Sequence, residues 1–182
     1  MVLWLMALAL QADDPCKGAD AADACRQVDS IRLESRSGRS QTVEVNARLP
    51  WVVQDNVLLT PGESVTIRLD RRGADLIPRL VRGGAGEAAP QPGENEVRLA
   101  LSDVRGGSVT LTVLSRFPDT LDYAALINVY GRGPERTSVC ALMPGISVFE
   151  QWSVPIAQMA IWSFRPTSEP GCRIVTLPRP AS

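Results

Sequence analysis

From residue 28 onward, apolar and polar residues alternate in short runs. Ile31 and Leu33 alternate with Arg32 and Glu34, and Val43, Val45 and Ala47 with Glu44, Asn46 and Arg48. The same rhythm returns in Val65, Ile67 and Leu69, in Val97, Leu99 and Leu101, and in Val109, Leu111 and Val113. A period of two puts one face of a strand in a core and the other in water, the signature of antiparallel sheet.

The segments between these runs carry turn chemistry. Residues 35–40, SRSGRS, close a hairpin between the first two strands. Thr60-Pro61-Gly62-Glu63 has proline and glycine at the central positions of a type II turn. Residues 103–108, DVRGGS, supply glycines for a hairpin turn that needs positive φ.

Elsewhere the rhythm weakens. Residues 71–95 are rich in Gly, Pro and Ala around a small apolar island, Leu76-Ile77-Pro78 with Leu80-Val81, and read as a long exposed loop. Residues 123–130 read as a strand buried on both faces, 131–135 as a turn, and 139–143 and 146–152 as further strands. Pro155 rules out one long helix through this region, so a short helical turn over 155–159 is expected, leading into a strand over 159–164. Residues 174–177 form a last edge segment. The expected fold is an all-β antiparallel sandwich, immunoglobulin-like or jelly-roll-like, with eight or nine strands in a single domain over residues 28–182. The cysteine, tryptophan and cysteine spacing of true immunoglobulin domains is missing.

The start of the chain has a different character. Residues 1–12, MVLWLMALALQA, are an apolar run too short for a membrane span of about 20 residues. They match the apolar region of a secretory signal peptide without its basic leader, as a truncated or late start would leave it. Cleavage after Ala9 or Ala12 is expected. Residues 13–27 form a polar segment bearing Cys16 and Cys25. With Cys140 and Cys172 the cysteines number four, which allows three pairings; the local one, 16 with 25 and 140 with 172, is the simplest. No two cysteines are separated by two residues as in metal sites, so structural disulfides and a periplasmic or secreted location are expected.

Composition then removes whole classes of chemistry. The 182 residues include no histidine, which excludes Ser-His-Asp triads, Cys-His dyads and imidazole-ligated metals. The one lysine, Lys17, lies beside a cysteine in a polar segment and suits neither a Schiff base nor a Ser-Lys dyad. The net charge is -1, and no basic stripe with interleaved aromatics suggests nucleic acid. Phosphate-binding glycine motifs are absent and no cofactor is expected. Asp13, Asp14, Asp20 and Asp23 do not follow the spacing of a calcium loop, and no metal site is expected. Gly131-Arg132-Gly133 with Arg136 reads as a tight hairpin turn rather than an anion site.

Two kinds of candidate survive. Exposed tryptophans beside polar groups are how sandwiches hold sugars, which marks Trp51 and Trp152 as ligand contacts. Carboxylate pairs cleave glycosides without histidine, and Glu34, Glu44, Asp70, Glu94, Glu96 and Glu150 are the acids available. Glu150 stands out because its neighbours, Val148, Phe149 and Trp152, are apolar and would raise its pKa. The leading expectation is a non-enzymatic exported module of the cell envelope whose partner is another envelope protein or a glycan. A carbohydrate-binding module and a histidine-free carboxylate hydrolase are the alternatives.

Overall fold

The computed structural model describes Cys16 and residues 21–35, 37–86 and 90–174. The expected signal segment, residues 1–12, lies outside them. One helical turn, α1 (Ala21–Ala24), precedes β1 (Cys25–Glu34) and β2 (Ser40–Pro50), which pair as a separate ribbon. Next come β3 (Val52–Val53), β4 (Asn56–Leu59), β5 (Glu63–Arg72), β6 (Asp75–Ala85), β7 (Glu96–Leu101) and β8 (Val109–Ser115). The chain continues through β9 (Leu121–Val129), β10 (Gly133–Thr137), β11 (Val139–Cys140), β12 (Ser147–Trp152), β13 (Ile156–Pro166) and β14 (Cys172–Arg173). All pairings are antiparallel. The all-β sandwich-like class is as the alternation requires.

The main sheet runs β10-β9-β13-β6-β5-β7-β8-β12, with β4 also paired to β13 and β3 to β4. It folds over at β13. Only Phe164 and Leu76 join β13 to β6, so the strands before and after that corner face each other as two layers. Between them lie Val57, Leu59, Ile67, Leu99, Leu111, Tyr123, Met159, Ile161 and Phe164, each at most 1% exposed. Each such aliphatic side chain stabilises the fold by roughly 1.5–3 kcal/mol. The β1–β2 ribbon packs Val28, Ile31 and Leu33 over Ala157 of β13.

The turns follow their residues. Gly62 has φ 85 and Glu63 N–H donates to Thr60 O, as a type II turn demands. Gly106 and Gly107 both have positive φ, 58 and 72, between Arg105 and Ser108, the mirror-image turn that suits a hairpin.

Five expectations are corrected. Residues 71–95 are not one loop: β5 runs to Arg72 and β6 occupies Asp75–Ala85. Pro78 is tolerated because the ladder alternates. Leu69 N–H bonds to Asn95 O, so Arg68 and Asp70 face β6 and bond to Arg79 and Ile77, leaving the Pro78 nitrogen on the far side. Residues 155–159 hold no helical turn: Ile156–Met159 belong to β13. Register shifts between Ile156 and Gln158 and between Trp162 and Arg165 change the parity of the buried positions, so Ile156 and Met159 stand three apart as they would in a helix. Residues 133–135, read as turn, open β10, and Cys25–Gln27, read as part of a polar leader, already belong to β1. The strand segments among the described residues number 14 rather than eight or nine, because several are only two residues long.

Both local disulfides are present, Cys16 with Cys25 and Cys140 with Cys172. They fit an oxidising environment. No helix among the described residues is long and apolar enough to cross a membrane.

Candidate functional site

The structure separates the three candidate ligand contacts. Trp51 lies in one place; Glu150 and Trp152 share another.

Trp51 follows Pro50 at the end of β2, where its N–H donates to Ala24 O at 3.0 Å. It is not an exposed platform. It is 4% exposed, with the Arg26 guanidinium 4.1 Å from its ring centroid and the Gly83 backbone against the indole. Arg26 is fully engaged. Its Nε and Nη2 donate to the two Glu63 carboxylate oxygens at 2.8 and 2.7 Å, its Nη2 also to Leu58 O, and its Nη1 to the carbonyls of Leu49 and Pro50. Glu63 in turn accepts the Thr60 N–H at 2.6 Å. The cluster is a staple between ribbon and sandwich, with no ring face left for a sugar.

Glu150 and Trp152 lie two apart on β12 and so face the same way, into the gap where the two ends of the main sheet meet. No backbone ladder joins β12 to β10. Instead Trp152 Nε1 donates to Thr137 Oγ1 at 2.6 Å, and Glu150 Oε1 accepts the Cys140 N–H at 2.6 Å. Burial raises the Glu150 carboxyl above its ordinary pKa, and the Cys140 N–H partly opposes this. Beneath lies Tyr123, stacked on Phe164 with centroids 6.0 Å apart. Its hydroxyl is buried with no hydrogen-bond partner among the described residues. Burial, and secondarily the Glu150 charge, push that phenol above its ordinary pKa.

The remaining acids are dispersed. Glu96 accepts the Gly93 N–H and bonds to Arg68, while Asp70 pairs with Arg79. Glu34 is half-buried, and Glu44 and Glu94 are exposed. Arg132 pairs with Glu135 at 3.0 Å in the β9–β10 turn. Among the described residues no group of three His, Cys, Asp or Glu gathers as metal donors would.

Sequence reasoning missed the outer side of β12. Phe149 is 67% exposed, with Ile146 at 48% and Met143 at 40% on the approach to the strand. No other described strand pairs with the backbone on that side. Ser102 N–H donates to Thr110 O at 2.8 Å, so the even-numbered residues of β8 bond to β7. Val109, Leu111 and Val113 therefore bond to β12, facing Trp152, Glu150 and Val148. The N–H and C=O groups of Ser147, Phe149 and Gln151 point away from the sheet. The signal was in the sequence: Phe149 falls out of phase with Val148, Glu150 and Trp152, so it could not share their buried side.

Comparison with protein-family models, with curated proteins and with solved structures yields no match.

Proposed function

We propose that this protein is an exported, non-enzymatic interaction module of an oxidising compartment, and that β12 is its contact edge. One observation carries the reading: among the described residues, the most exposed large apolar side chain, Phe149, lies on a terminal strand whose outer backbone groups have no partner strand. Such an edge takes up a partner strand, the backbone supplying affinity and the side chain specificity. Both disulfides support export to a periplasmic or extracellular setting. The non-enzymatic reading is supported by Glu96 and Glu150 each holding a backbone N–H.

A photo-crosslinking residue at position 149, with a control at exposed Arg32, tests this in intact cells. Adducts at 149 and none at 32 support the reading; equal labelling or none at either overturns it.

Glycan binding is the second reading, moved from the tryptophans to Tyr130. A half-open cleft of about 430 Å³ lies between the ribbon and the β9–β10 turn, walled by Tyr130 and Pro155 with Gln41 and Arg39 at its rim. Gln41 Nε2 donates to the Tyr130 hydroxyl at 3.0 Å, and Tyr130 is 40% exposed. Binding on a glycan array that is lost in Tyr130→Ala would favour this reading over the first.

A further inference from the structure

The free edges of this fold are not alike. β2 is interrupted by a register shift opposite Val28 and Ser30, where Asn46 takes φ 48. β10 carries Pro134, Glu135 and Arg136. Bulges, prolines and charges are the usual means by which a sheet edge avoids a neighbour. β12 has none of them on its outer side. It keeps an unbroken register with β8 from Ser147 to Trp152, contains no proline, and turns its one charge, Glu150, onto the Cys140 N–H.

We infer that the strand received at this edge is the β12 of a second copy, paired antiparallel about a two-fold axis through Phe149. The inference rests on the contact edge proposed above and names its occupant.

The register follows from which groups are free. Ser147, Phe149 and Gln151 point outward, so these must bond across the axis. Only a centre at Phe149 uses all three, setting Phe149 against its copy and Ser147 against the copy's Gln151. Each facing pair then exchanges two hydrogen bonds. Between them fall the non-bonded pairs, Val148 with Glu150 and Ile146 with Trp152. No like charges meet, since Glu150 faces a valine. Ile146, half exposed in the single chain, gains the half-buried Trp152 as a neighbour. The arrangement is isologous and therefore closes at two copies, extending the sheet without leaving β12 free to propagate. The contact is one short strand wide, well below the standard interface size, so the dimer is weak and dependent on concentration.

Sedimentation velocity of the disulfide-intact protein, from micromolar to millimolar concentration, tests the proposal. The wild type is expected to pass from monomer to dimer. Phe149→Glu and Phe149→Lys place like charges directly opposite one another, and each alone should raise the dissociation constant at least about tenfold. An equimolar mixture of the two should restore dimer, because position 149 faces position 149. Should a charged variant fail to fold by circular dichroism, Phe149→Ser carries the same expectation of weakened association. A wild type monomeric at millimolar concentration, a dimer indifferent to position 149, or a mixture that stays monomeric each overturns the inference. The crosslinker at position 149 separates the two failures. An adduct to a chain of different mass, with a monomeric wild type, removes the second copy and leaves the contact edge standing; no adduct removes both.

Discussion

Gly83 lies against the indole of Trp51 so closely that a methyl group there would come within 2.2 Å of Cε2. The indole has little room to retreat, because it is 4% exposed and also packed against Arg26, which Glu63 holds in place. Gly83→Ala is therefore expected to destabilise the protein by about 1–3 kcal/mol through overpacking. Gly84, the next residue, points to the opposite face of the strand, has nothing within 4 Å of an added methyl and should accept alanine with much less effect. Thermal denaturation of the two variants side by side is the check.

The Arg26–Glu63 pair is 11% exposed on each side and satisfied by backbone carbonyls and the Thr60 N–H. Removing one partner leaves a buried charge without its counterpart. Glu63→Ala or Arg26→Ala should each cost about 3–5 kcal/mol. The double variant should cost clearly less than the two together. Urea titration of the four proteins gives the coupling; strict additivity would show that the two side chains act independently.

Glu150 should make stability fall as pH rises. Its folded-state pKa lies above its ordinary value of 4.5, so between those values the native state holds a proton that the unfolded chain has released. The stability gained from that proton is complete below about pH 4.5 and is lost as pH rises through the raised value. Glu150→Gln keeps an oxygen for the Cys140 N–H and cannot ionise. Its melting temperature should exceed that of the wild type at pH 7 and match it near pH 4. A constant difference across that range would refute the assignment.

Cys140–Cys172 closes a loop of 32 residues. On the chain-entropy model its removal costs about 3–4 kcal/mol. Arg173, bonded to Asp122 and Thr167 Oγ1, gives the adjoining segment a second tether. Cys172→Ser should lower the melting temperature while leaving residues 167–174 only partly open to protease. Adding Arg173→Ala should release them, as mass-mapped limited proteolysis would reveal.

Where alternation is strict, as in β5, β7 and β8, sequence and structure coincide, because one face of each strand packs on the core and the other does not. Reading fails where another force displaces that rule. In β6, Pro78 and Gly83 resemble loop signals, yet one sits with its nitrogen away from the ladder and the other makes room for a ring. In β13, two register shifts move Ile156 and Met159 out of period two. The site was half legible. Its apolar neighbours mark Glu150 in the sequence, and burial displaces its carboxyl upward. Its partner, a backbone N–H ten residues earlier, has no mark in the sequence. Trp51 looked available beside a loop, but the glycine that receives it lies 32 positions away in the sequence.

The covalent loop between Cys140 and Cys172 contains β12 and β13, one strand from each layer of the sandwich. β13 takes its place only by inserting between β9 on one side and β4 with β6 on the other, so it is a central strand laid down near the end of the chain. During synthesis the two thiols emerge on either side of that insertion. In the native structure they stand opposite each other where β11 pairs with β14, at the two ends of the segment that crosses between the layers. With the bond formed, a strand of each layer is held in one covalent ring, so even in the unfolded chain the two can part no further than that ring allows.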